Sequence, residues 1–198
     1  FKCNWGVPSE EFLAEVGSNS FSGNFDKRGE SMISKRDEEK LKEKSLTPEQ
    51  LAEIYDKTSD NLTTKYRGLD GNVAKELGVR WEYNVDGSLK AMYFPAYVKD
   101  NGEMKVTGYK VRDLPKNFHS FGYVGKCNLM GGMTSQVAET LIVVAGEIEI
   151  VTATQAMKSA DKYRKSYNII TSLTGESSTA DDLKNHYEWV NKHQKIII

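Results

Sequence analysis

Cysteine is scarce in this chain: Cys3 and Cys127 are the two in 198 residues, and they lie far apart. So few thiols exclude a disulfide-stapled secreted scaffold and fit a reducing compartment, which makes the cytoplasm the expected location. Histidine is scarce as well, and the three present are scattered without the spacing of metal ligands. Long apolar runs are missing. Nothing approaches the roughly 20 residues of a membrane-spanning helix, so no membrane partner is expected, and Phe1 to Trp5 lacks the basic-then-apolar pattern of an export signal. Charge of one sign is not in excess either. The formal net charge is -1 although 28% of residues are charged, so any nucleic-acid binding has to rest on local clusters of cations. No repeat of solenoid period is visible. The length suits the upper end of one domain or the lower end of two small ones. A first residue that is Phe and not Met leads us to expect a fragment or a processed chain.

Residues 1–60 are polar and weakly patterned, with Ser, Gly and Asn gathered at 17–23 and a run of charge at 35–44, and read as a linker. One short helix is expected within it. Thr47-Pro48-Glu49-Gln50 supplies a capping hydroxyl, a proline at the first helical position and a reciprocal Gln, after which Leu51, Ile54 and Tyr55 share a face. Order improves from Tyr66. Asp70 can cap a short helix that Gly78 closes. Strands are then expected over 79–83, 89–98 and 104–111, separated by Asp86-Gly87 and Asp100-Asn101-Gly102, which spells an antiparallel meander in a subdomain spanning 61–135.

After Gly131-Gly132 the rhythm becomes strand, helix, strand, helix, strand. The apolar run at 141–144, the helical spacing at 148–158, a strand at 168–173, one helix over 179–191 and a strand at 195–198 predict a parallel sheet with right-handed crossovers in a second subdomain, 136–198. The fold class is therefore α+β, an antiparallel meander followed by a partial α/β unit.

In an open parallel sheet, chemistry collects at the carboxyl ends of strands, and Gly146-Glu147 sits at one. A carboxylate there can bind a metal or act as a base; it can equally be a plain N-terminal helix charge. The loop Ser172-Leu173-Thr174-Gly175-Glu176-Ser177-Ser178 lies on the same rim and can cradle phosphate through its N–H groups, or be a simple strand-to-helix turn. Upstream, Lys110, Arg112, Lys116 and Lys126 are interleaved with Phe118, His119, Phe121 and Tyr123. Cations among aromatics suit phosphates and bases. They also suit a solvated strand edge.

Taken in order, Tyr109-Lys110-Val111-Arg112-Asp113, Lys116-Asn117-Phe118, Leu129-Met130-Gly131-Gly132 and Val143-Val144-Ala145-Gly146-Glu147-Ile148-Glu149 resemble the Toprim-type primase domain of fused phage primase-helicases, relatives of mitochondrial Twinkle. The resemblance covers about residues 66–198. It implies a DNA primase, a nucleotidyltransferase that copies single-stranded DNA template into RNA primers from ribonucleoside triphosphates during phage replication. It further implies catalytic roles for Glu147, Lys110 and Lys116, Mg²⁺ or Mn²⁺ held through Glu147 and Glu149, and nucleotide or nucleic-acid contacts from Lys110, Arg112, Lys116, Lys126, Ser172, Thr174 and Ser177. Ala145 stands where the family usually has an acid, and Glu149 where it has Asp.

The same resemblance makes Phe1 to Gly6 the remnant of a zinc ribbon that lacks its second cysteine, so zinc is not expected. It makes Lys195-Ile196-Ile197-Ile198 the strand that precedes the family's Asp-x-Asp pair. The expectation is a chain truncated before that pair and dependent on a Toprim remainder and a helicase, in the same parent chain or a separate one. The alternative is a non-catalytic module that binds DNA or a replication partner and keeps Glu147 as a relic. Another Toprim enzyme, a nuclease or topoisomerase, is disfavoured by the resemblance over 66–132.

Overall fold

The computed structural model describes residues 35–100, 103–131, 136–160 and 167–198. The Cys3 knuckle, the 17–23 cluster, Asn101-Gly102 and Gly132 lie outside them. Helix α1 (Lys35–Lys44) occupies the charged run that reads as linker. Its Lys and Glu residues are strong helix formers, and Leu41 anchors it on the core. Helix α2 (Pro48–Lys57) starts as expected: Thr47 Oγ1 accepts from the Gln50 N–H at 3.3 Å, and Gln50 Oε1 accepts from the Thr47 N–H at 3.0 Å. Helix α3 (Gly71–Glu76) is capped by Asp70, which accepts from the Asn72 and Val73 N–H groups. Gly78 follows with φ +76°, and a side chain there would also strike the Tyr97 hydroxyl.

Strands β1 (Arg80–Tyr83), β2 (Leu89–Asp100), β3 (Glu103–Asp113) and β4 (Asn117–Gly122) form an antiparallel sheet in the order β1-β2-β3-β4. Strand β2 is buried on both faces along 91–96, which explains its unbroken apolar sequence there. Ala91 and Tyr93 join Tyr109 and Val111 of β3 under Ile54 of α2, with Leu46 and Leu51 alongside. Met92, Phe94 and Ala96 point the other way, with Trp81, into the main core. Strand β4, like α1, is an element that the sequence does not announce. All six of its residues are exposed, so it has no buried alternation to betray it.

The second layer is a parallel sheet of β5 (Thr140–Val144), β6 (Tyr167–Thr171) and β7 (Lys195–Ile197), in the order β6-β5-β7. The predicted α+β architecture is thus present, an antiparallel sheet beside a parallel one. Helix α4 (Glu147–Ser159) follows β5 and buries Ile148, Ile150 and Val151 among Trp81, Met92 and Phe94 of the antiparallel layer. The single helix expected over 179–191 is instead two, α5 (Thr179–Asn185) and α6 (Tyr187–Val190). The break falls at His186, whose Nε2 lies 3.0 Å from the Cys127 carbonyl. Burial pulls the His186 pKa down, which favours a neutral ring donating Nε2–H to that carbonyl.

The two sheets are joined through backbone as well as core. Met130 exchanges N–H···O bonds of 3.0 and 3.1 Å with Thr171 on the free edge of β6. Gly131, at φ +96°, follows against Ile150 and the Ile169 carbonyl, where a Cβ would collide. No helix among the described residues is long and apolar enough to cross a membrane.

Candidate functional site

Strand β3 carries alternate residues to opposite faces, so Lys110 and Arg112 share the face turned toward the parallel layer. Opposite them in the register stand Ser120 and Phe118 of β4. The Phe118 ring, 45% exposed, has two cations close to it: Lys110 Nζ is 5.5 Å and Arg112 Cζ 5.2 Å from its centroid. Arg112 is 9% exposed, its Nε has no hydrogen-bond partner, and no ion pair holds it among the described residues. A buried guanidinium without a carboxylate is costly unless something anionic or aromatic compensates it.

Glu147 comes from the other layer. It begins α4 directly beyond the carboxyl end of β5, is 6% exposed, and forms an ion pair with Lys110 across the junction of the two sheets. Its Oε1 has no aligned hydrogen bond, so the contact with Lys110 is charge proximity without directional bonding. A Cβ at Gly146 before it would lie 2.6 Å from Glu149 Oε2, so the Glu149 carboxylate folds back over the helix start and would have to move aside for a larger residue. Both carboxylates in the first turn of α4 suit the positive end of its dipole.

Beside this pair is a cleft of about 330 Å³. It is lined by Lys110, Phe118, His119 and Ser120 of β3 and β4, by Val124 and Gly125 just beyond β4, and by Leu173 and Thr174 of the loop after β6. His119 Nδ1 is turned to Asp113, 3.1 Å away. Thr174 is exposed on the cleft, whereas Ser172, at 2% exposure, lies behind it. Both hydroxyls bond the same oxygen of Asp182, Oδ2, in the first turn of α5.

The structure therefore gathers Lys110, Arg112, Glu147 and Thr174 around one junction. Lys116 sits in the exposed turn between β3 and β4, with no contact that brings it to the cleft. Lys126, next to cleft residue Gly125, adopts φ +44° and pairs with Asp37 of α1 at 2.7 Å. Ser177 is exposed in the 3-10 turn Glu176–Ser178 and does not line the cleft, and Glu149 is exposed on α4. Asp182 was missed by sequence reasoning, since an acid in a first helical turn has an adequate local explanation. Among the described residues no group of three or more His, Cys, Asp or Glu is close enough to hold a metal ion.

No protein-family model matches the chain, and no curated protein does. Solved structures do match. One is the primase fragment of the bacteriophage T7 primase-helicase, at 24% identity and TM-score 0.52, over 69% of this chain and 52% of that one. Another holds primase domains of two gp4 subunits, bound to an RNA/DNA hybrid and dTTP, interacting with bacteriophage T7 lagging-strand DNA polymerase. It matches at 25% identity and TM-score 0.51, over 69% of this chain and 63% of that one. The shared feature is a phage primase fold. The chain spans between about half and just under two thirds of these structures' length.

Proposed function

We propose that this chain is the template- and nucleotide-handling part of a phage-type DNA primase, making RNA primers from ribonucleoside triphosphates on single-stranded DNA. The observation that carries this reading is the pairing of half-buried Lys110 with buried Glu147 at the junction of the two sheets, beside a cleft lined by an exposed Phe118 that has two cations close to its ring. Lys110 supplies positive charge at the mouth of the cleft, where a triphosphate has to be neutralised. Phe118 offers a face on which a base stacks without sequence preference. Arg112 holds a second positive charge close to that ring, paired with no carboxylate among the described residues and so open to a backbone phosphate.

The expected Mg²⁺ or Mn²⁺ does not fit the described residues alone. One buried carboxylate already paired with Lys110 is not a donor set for a divalent cation. In this reading a divalent ion needs carboxylates from elsewhere, such as a Toprim Asp-x-Asp, supplied together with a helicase. The second reading, a non-catalytic DNA-binding module, draws on that same incomplete donor set. Metal dependence separates the two. DNA binding that ignores both Mg²⁺ and Glu147→Ala favours the module. Template-dependent ribonucleotide incorporation, appearing when the chain is combined with a Toprim remainder and lost on Glu147→Ala, favours the primase.

A further inference from the structure

The loop after β6 faces the cleft, and its hydroxyls invite comparison with a phosphate cradle. The hydrogen bonds argue against one. Asp182, 8% exposed, receives both Ser172 Oγ and Thr174 Oγ1 on its Oδ2. A carboxylate oxygen only accepts, so both hydroxyl protons point away from the cleft, toward α5. The two hydroxyl oxygens stand 2.8 Å apart, and Ser172 Oγ also takes the Thr174 N–H at 3.2 Å. Thr174, which lines the cleft, thus has its hydroxyl proton and its own N–H both spent, so toward a ligand its hydroxyl can only accept. The Asp182 charge behind it disfavours phosphate further. Lys110, which comes from the other sheet and lines the same cleft, is a pure donor.

We infer that Asp182 is a positioning residue that fixes Thr174 as a hydrogen-bond acceptor, and that Thr174 selects a donor group on the bound nucleotide, a sugar hydroxyl or a base amino group, while the phosphates lie toward Lys110. This rests on the nucleotide-site reading above. It gives the cleft two kinds of polar lining, one for the anion and one for the donor, and so sets which way round a nucleotide enters.

The test is equilibrium binding to the full chain of ATP, 2′,3′-dideoxy-ATP, purine riboside triphosphate and inorganic tripolyphosphate. Thr174→Val should weaken ATP about five- to tenfold, the worth of one hydrogen bond, and leave tripolyphosphate unchanged, with Thr174→Ser restoring ATP binding. Asp182→Ala, which unlocks the hydroxyl, should lower the ratio of ATP to tripolyphosphate affinity. If the Thr174→Val effect vanishes with the dideoxy sugar, the donor is a sugar hydroxyl; if it vanishes with purine riboside triphosphate, the donor is the base amino group. Thr174→Val weakening tripolyphosphate as much as ATP, or leaving ATP unchanged, overturns the inference. Thr174 is exposed, so this variant reports even where Asp182→Ala unfolds. Lys110→Ala separates the two levels. If it weakens both ATP and tripolyphosphate while Thr174→Val weakens neither, this inference alone fails; if it changes nothing, the nucleotide-site reading fails with it.

Discussion

At the scale of single residues, two buried groups dominate. Lys110 and Glu147 compensate one another across the sheet junction, so removing one leaves the other as an uncompensated charge in a poorly solvated place. Lys110→Met should cost about 3 kcal/mol of stability. The double variant Lys110→Met with Glu147→Leu should recover most of that loss, because an apolar pair of similar size is tolerated where half an ion pair is not. Urea unfolding of the three proteins checks this, and equal losses in single and double variants would contradict it. Cys127 is the second group. Burial pushes its thiol up to about 11, whereas an unfolded thiol ionises near ~8.5. Between those values unfolding releases a proton, so the Cys127 contribution should be constant below about pH 8 and then lower stability by about 1.4 kcal/mol per pH unit. Tyr93 and Tyr109, also pushed up by burial, add to the fall above about pH 10. Cys127→Ala should flatten the curve between pH 9 and 10 in a denaturant series.

At the scale of elements, the segment read as a linker is packed structure. Ile54 of α2 is 3% exposed over Tyr93, Tyr109 and Val111, and the Leu46 N–H donates to the Thr107 carbonyl at 3.0 Å. Ile54→Ala should therefore cost about 3 kcal/mol, as a core truncation does, and Thr47→Ala about 1 kcal/mol through the lost cap. Thermal unfolding of each variant decides, and no change for Ile54→Ala would return α2 to the status of a tether. What could be read from sequence was whatever is encoded locally. The Thr47 capping box, the Asp70 cap with Gly78, and the strands of the meander all depend on neighbours within a few positions. What escaped depends on distant partners or on none. The His186 break follows a carbonyl 59 residues away, β4 is an exposed edge, and α1 is pinned through Leu41 and the contact of Asp37 with Lys126. The same holds for the site: Glu147 stands out by its place after a buried strand, while Asp182 acquires a role only when β6 and α5 come together.

At the scale of the molecule, the two sheets are not independent. One core runs from Trp81 and Phe94 of the antiparallel layer through Ile148 and Ile150 to Ile169 of the parallel layer, and the Met130–Thr171 bridge ties their backbones. The layers should unfold in one transition. Trp81 reports on the first and Trp189, packed against Leu183 and Val190, on the second. Fluorescence of single-tryptophan variants should give coincident midpoints, and two separated transitions would show that the junction does not couple them. That coupling matters because Lys110 and Glu147 come from different layers, and only a rigid junction keeps them together at the cleft.

Template-dependent ribonucleotide incorporation on single-stranded DNA, with the chain alone and combined with a Toprim remainder and helicase, in Mg²⁺ or Mn²⁺, decides whether this junction serves primer synthesis. Incorporation should appear in the combination, with little from the chain alone, and should be lost with Glu147→Ala or Lys110→Ala in variants that circular dichroism shows to be still folded at the assay temperature. Silence in the combination, with DNA binding intact and indifferent to Glu147→Ala, would contradict that role.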